Sequence, residues 1–224
     1  MTMNHAQFRD GRPNNSSGFS LVDLLLSLCL GITLSGTILQ VLISETGLGL
    51  RVNRLLRERS VQRRTLALIR DDVQRASRIS TNPQLEQHAC NLSGRLPVLH
   101  LSTANGPVTY SVGSAPSTIW RGQVLMRCGP AFDLTGQPSM NTTAQNRVVI
   151  DGLAAKPDPS EVGSVPLDPT VAPAQELAGS ASKPFSAWMT PNQSVLALRL
   201  CQDFPEKSGR KQAISSTTVI PRTA

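Results

Sequence analysis

The stretch that decides the fold is Phe19–Ile43, FSLVDLLLSLCLGITLSGTILQVLI, in which Asp23 is the one formal charge. At about 1.5 Å of rise per residue, a helix of this length covers roughly 30 Å of hydrocarbon with some tilt. A secretory signal has an apolar run of about 7–15 residues closed by a small-residue cleavage site. Here the run is longer and no Ala-x-Ala-like site ends it. A buried core helix is the other alternative; length and hydropathy favour a spanning helix over 19–43. Asp23 stands out, because a carboxylate in lipid costs roughly 2.5–3.5 kcal/mol on insertion scales and usually has a partner. The plainer reading is an Asp that snorkels to the interface in the first turn, where the helix dipole favours it.

Within the span Ser27, Gly31 and Ser35 recur every four residues, on one helical face. Such a small-residue stripe allows close helix packing in a membrane, although Gly and Ser are also common in spanning helices generally. Cys29 lies in the apolar run and reads as a small hydrophobe.

Upstream, residues 1–18 are polar and carry Arg9 and Arg12. Downstream, no proline occurs between Pro13 and Pro83, so one helix from about Phe19 to Ile79 is permitted. Leu48, Val52, Leu55, Leu66, Ile69, Val73 and Ala76 fall in a narrow sector of that helix, the pattern of an amphipathic stem. Arg54, Arg57, Arg63, Arg64, Arg75 and Arg78 fall mainly on the other side.

The chain of 224 residues has a net charge of +7. Residues 45–79 hold nine arginines and four acids, a net of +5, so nearly all the excess lies on the stem and the overall charge is weak evidence for a nucleic-acid-binding domain. Arg57, Arg63 and Arg64 are the candidates for anion contact, with DNA or anionic lipid as the ligand. A solvated face that docks acidic partners is the alternative, and it is favoured because the stretch lacks stacking aromatics and a recognition motif.

After Pro83 the pattern changes to short β-prone runs at 96–103, 108–112, 118–127, 148–153 and 194–201, with the turn signal Asn105-Gly106 between the first two. These predict four or five antiparallel strands. Residues 154–193 hold seven prolines and are expected to form a long excursion with little regular structure. With aromatics at 4%, the core must be aliphatic.

Outside the span Cys90, Cys128 and Cys201 allow one disulfide in three possible pairings. No spacing fits a metal tetrad, so no metal is expected. Ser180-Ala181-Ser182-Lys183 and Lys207-Ser208-Gly209 echo elements of penicillin-recognising enzymes, but no domain separates them. His88 and His100 have no nucleophile at interpretable spacing, and no phosphate loop occurs. The sequence therefore predicts neither an enzyme nor a cofactor.

Gly18-Phe19-Ser20-Leu21-Val22-Asp23, after a short basic leader, resembles the processing signal of type IV prepilins and type II secretion pseudopilins. The resemblance implies a leader over 1–18, cleavage after Gly18 and methylation of the Phe19 amine by a prepilin peptidase. It makes Asp23 the assembly carboxylate that neutralises that amine. Further along, RRTLALIRDDVQRAS, YSVG, TIWRGQVLMR, VVIDGL, VLALRL and SSTTVIPR resemble PilW-like minor pilins and the J-type minor pseudopilin. These have an Arg-Asp pair near the stem's end, a Tyr…Leu-Tyr-Arg hairpin and a terminal Ser/Thr-Thr-Val…Arg strand. Trp120 stands in the place of the hairpin aromatic, and Pro221 interrupts the terminal strand.

The implied fold is α+β and type IV pilin-like: a long N-terminal membrane-spanning helix packed on a small antiparallel β-sheet. Its parts are the span at 19–43, an arginine-rich stem at 44–80 and a β-rich domain at 81–224. The implied role is a minor pilin or pseudopilin subunit in the bacterial inner membrane, with its carboxyl domain in the periplasm and a place at the tip after assembly. Its partners are other pilins, prepilin peptidase, the inner-membrane assembly platform and membrane lipid. Taken alone, the positive-inside rule points the other way, since the leader has two arginines and residues 51–64 have six. The alternative role is a DNA-binding competence pilin or membrane-anchored DNA-binding protein that uses the stem.

Overall fold

The computed structural model describes residues 20–139, 142–155, 174–178, 183–206 and 209–222; side chains at 42–52, 54–55 and 205–211 are not described. Two compact units divide the chain, residues 1–55 and 56–224, and each is treated by itself.

Helix α1 runs Leu21–Arg75. Ser20 precedes it, with its hydroxyl 3.4 Å from the Val22 amide and its carbonyl accepting from Asp23 N at 2.9 Å. Asp23 lies in the first turn, favourable to the helix dipole. In the first unit, Leu21–Val41 has a mean hydropathy of 1.9 and none of it is buried in the protein. It is long and apolar enough to cross a membrane. Thr33 and Thr37 return their hydroxyls to carbonyls three or four residues back, which keeps these polar groups bonded inside an apolar surface.

In the second unit, α1 buries Gln62, Thr65, Leu66, Ile69, Asp72 and Val73. The helix stops four residues short of the expected Ile79. Ala76–Ile79 form strand β1 instead, paired with the edge of β2 at Leu96–Thr103. A sheet edge offered these residues backbone partners, and Ala76 and Ile79 enter the core from strand geometry.

The sheet is large, not small. Among the described residues it has nine strands, which include β3 Gly106–Ser114, β4 Gln123–Gly129, β5 Gln145–Leu153, β6 Gln175–Glu176, β7 Phe185–Met189, β8 Leu196–Glu206 and β9 Gly209–Val219. The order is β1-β2-β3-β4-β5-β8-β7-β6, with β9 also on β8 and every pairing antiparallel. Asn105-Gly106 does make the β2–β3 turn, with Thr103 opposite Gly106 and Gly106 at φ +117°. Strand β4 begins at Gln123 instead of Thr118, after Gly122 takes a left-handed φ of +59°. The excursion expected over 154–193 contains β6 and β7. All five residues of β7, FSAWM, are buried, so the alternation that announces a half-buried strand is absent.

The core joins stem residues Leu66, Ile69 and Val73 to Leu99, Leu101, Val108, Tyr110 and Val112 of the β2–β3 hairpin and to Leu196, Leu198 and Leu200 of β8. The intervening residues His100, Thr109 and Ser111 are buried as well. Segment 83–95 makes contacts with residues of that second set: His88 bonds to Thr109, and a disulfide links Cys90 to Cys128, the register partner of Thr109.

Candidate functional site

Two groups of residues bear on function: the apolar span, and a buried hub where the end of the stem meets the sheet.

On the span, Asp23, Ser27, Gly31 and Ser35 are exposed. Leu24, Leu28 and Ile32 alternate with the small residues Ser27, Gly31 and Ser35 along a shallow groove in the helix surface. A Cβ at Gly31 would meet nothing within 4 Å. Cys29 is exposed on the same helix. Gly18 and Phe19 lie outside the described residues, as do Ser180 and Lys207.

The hub is built from Asp72, Tyr110 and Arg127, which are 1%, 0% and 6% exposed. Asp72 sits in the last turn of α1. Tyr110 of β3 and Arg127 of β4 are register partners, so their side chains rise from the same face. Tyr110 Oη donates to Asp72 Oδ2 at 2.6 Å. Arg127 Nε donates to Oδ2 at 2.7 Å and Nη2 to Oδ1 at 3.1 Å, a two-pronged grip. Arg127 Nη1 reaches Pro130 O at 3.0 Å, and the guanidinium lies 4.6 Å from the Phe132 ring centroid. Gly129 keeps this space open: a Cβ there would stand 3.0 Å from Val108 Cγ2 and 3.3 Å from Arg127 Nη1.

Burial and the adjacent Asp72 charge together push the Tyr110 hydroxyl well above its ordinary value. Burial works against the Arg127 charge, but the hydrogen bond and charge of Asp72 outweigh it and hold Arg127 above its ordinary value. Neither group can exchange protons near neutrality. The hub is a clamp, and it fixes the stem to the two central strands of the first hairpins. The residue types stand in RRTLALIRDDVQRAS, YSVG and QVLMR, yet their meeting was not expected; the spacing of 38 and 55 residues carries no distance information.

A second polar cluster has no spacing signal in the sequence. His100 Nδ1 and His88 Nδ1 both approach Thr109 Oγ1, at 2.9 and 3.2 Å, with ring centroids 5.8 Å apart. Glu86 Oε2 is 4.0 Å from His100 Nε2 and 3.1 Å from Arg78 Nη2. Burial lowers both imidazoles below their ordinary value, against the pull of Glu86.

Of the three cysteines outside the span, Cys90 and Cys128 form the disulfide, with Cα atoms 5.9 Å apart. Cys201 is buried and reduced, its Sγ 3.3 Å from Gln212 Oε1. Arg57, Arg63 and Arg64 are all exposed. Trp120 is 36% exposed at the tip of the β3–β4 connection, beside Ile119 at 78%.

Comparison with protein-family models, with curated proteins and with solved structures finds no match to this chain.

Proposed function

We propose that the chain is a prepilin-like minor subunit, a structural component of a type IV pilus or type II secretion pseudopilus. The observation that carries this reading is Gly18-Phe19 with Asp23 as the fifth residue counted from Phe19, at the start of a long apolar run. Cleavage after Gly18 would leave a free amine at Phe19 and a carboxylate at Asp23 within the first turns of one helix. A buried ammonium and a buried carboxylate are each costly alone, and pairing offsets part of both costs. In an assembly the amine of one subunit and the Asp23 of its neighbour would meet this need together, which selects a register for the bundle.

On this reading the span waits in the inner membrane with the sheet domain in the periplasm. Prepilin peptidase and the inner-membrane assembly platform handle the span, and other pilins pack against it. The Asp72 clamp supports the same role. Within the second unit it fixes the end of α1 to the sheet through a buried ion pair. The disulfide fits an oxidising compartment.

A DNA-binding role for the stem is the second reading, favoured by the exposure of Arg57, Arg63 and Arg64. It predicts binding that weakens steeply with salt and is lost when the three become Gln. The amino terminus of the mature protein separates the first reading from a membrane-anchored DNA-binding protein, and the salt-dependent binding separates it from a DNA-binding competence pilin, which would also begin at Phe19.

A further inference from the structure

Residues 86–91 cross the face of the sheet that lies opposite the hub, because Thr109 and Cys128 alternate with Tyr110 and Arg127 along their strands. His100, Thr109, Cys128 and Asn146 are successive register partners on β2, β3, β4 and β5, so they form one row across four strands. The segment meets this row in step. Glu86 Oε2 stands 4.0 Å from His100 Nε2, and His88 Nδ1 lies 3.2 Å from Thr109 Oγ1. Cys90 is bonded to Cys128, and Asn146 Nδ2 donates to Asn91 O at 3.1 Å. Among the described residues no main-chain hydrogen bond ties 86–90 to the sheet. The attachment is covalent at Cys90 and rests on side chains before it.

We propose that residues 84–89 are an acid-released strap: proton uptake by His88 and His100 lifts them off β2 and β3, while the Cys90–Cys128 bond keeps them tethered. Both imidazoles converge on one hydroxyl, with Thr109 Oγ1 at 2.9 Å from His100 Nδ1 and 3.2 Å from His88 Nδ1. A hydroxyl has one proton and two acceptor positions, so two neutral rings are served together when one donates and the other accepts. Charging both rings sets two cations 5.8 Å apart. The charged groups that face them are Glu86 on the strap and Arg78 on β1. From β3 and β4 they meet only the Thr109 hydroxyl and the disulfide, which does not titrate. Arg78 Nη2 already holds Glu86 Oε2 at 3.1 Å, so two protons take this cluster from neutral to a charge of +2. His100 is fixed within β2, whereas His88 stands on a segment without main-chain pairing, so the strap is the part that yields. Burial lowers both imidazoles in the closed form, and lifting returns them to water, which is how acid favours the open form. The inference uses only residues of the second unit and holds for either role of the chain.

The test is cleavage after Glu86 by a glutamate-specific protease, with the full oxidised chain in neutral detergent. Mass spectrometry of the reduced fragments reads the rate. A free peptide of residues 83–91 carrying Cys90→Ser, cut under the same conditions, corrects for the protease's own pH dependence. The corrected rate follows the population of the open form. It is expected to rise at least roughly tenfold between about pH 7.5 and 5.5. The cut after Glu176 in β6 should not rise with it, and His88→Gln with His100→Gln should remove the rise after Glu86. A corrected rate after Glu86 that ignores pH would overturn the proposal. A rise that survives the double variant would do the same, as would a parallel rise after Glu176, which would mean that the whole domain opens. Should the double variant fail to fold, the comparison of Glu86 with Glu176 in the wild-type chain decides alone.

Discussion

Arg127 holds Asp72 by both prongs of its guanidinium, at 2.7 and 3.1 Å, across a sequence separation of 55 residues. The pair is almost wholly removed from solvent, with side chains 7% and 2% exposed. Two buried charges are retained here because three donors, counting Tyr110, satisfy one carboxylate.

Breaking one side of this clamp should therefore cost far more than its surface counterparts would. Asp72→Ala strands the Arg127 charge and is expected to lower stability by about 3–5 kcal/mol. Tyr110→Phe, which removes one charge-assisted bond, should cost about 1.5–3 kcal/mol. Urea denaturation of the domain measures both; a loss below about 1 kcal/mol for Asp72→Ala would contradict the clamp.

The exposed ion pair between Arg78 and Glu86 supplies the contrast, since the Arg78 side chain is 60% exposed. Arg78→Ala should change stability by no more than about 1 kcal/mol.

Reducing the disulfide removes a constraint on a separation of 38 residues. The chain-entropy treatment puts the loss at about 3–4 kcal/mol. Cys90→Ser with Cys128→Ser should reproduce the shift and Cys201→Ser should not, as read by melting with and without reductant. Equal effects of reductant on wild type and on the double variant would count against the assignment.

The histidine pair makes a prediction with a definite sign. Burial lowers His88 and His100 below the ordinary 6.5 in the folded state. As pH falls through that value the unfolded chain takes up protons first, so stability present above it is lost on acidification. Glu86 is lowered as well, by its hydrogen bond from Ser80, and its contribution is lost further down, in the carboxylate range. The urea midpoint should drop between about pH 7.5 and 5.5, and the drop should shrink in His100→Gln. A midpoint indifferent to pH over that window would refute it.

How far these features could be read in advance depends on how local their causes are. Phe19–Ile43 announced a helix because twenty-five residues with one charge leave few alternatives, and Asn105-Gly106 announced a turn because its geometry is intrinsic to the dipeptide. Ala76–Ile79 has no such signal: a helix ran up to it without a breaker, and only the free edge of β2 drew it into the sheet. Phe185–Met189 was hidden by its own burial on both faces. The three candidate cysteines were plain, but their pairing followed from register, which sets Cys128 beside Thr109 and so beneath the segment that carries His88 and Cys90. The hub was the least legible part. Its residue types stood in separate segments, and only the β3–β4 register put Tyr110 and Arg127 side by side to receive Asp72.

The assembly role requires processing of the amino terminus, and intact-mass and peptide mass spectrometry of the protein from cells that contain a prepilin peptidase tests this most directly. The predicted result is a mature chain that begins at Phe19 and carries one methyl group on its amine. A chain that begins at Met1, or at any residue other than Phe19, would contradict it.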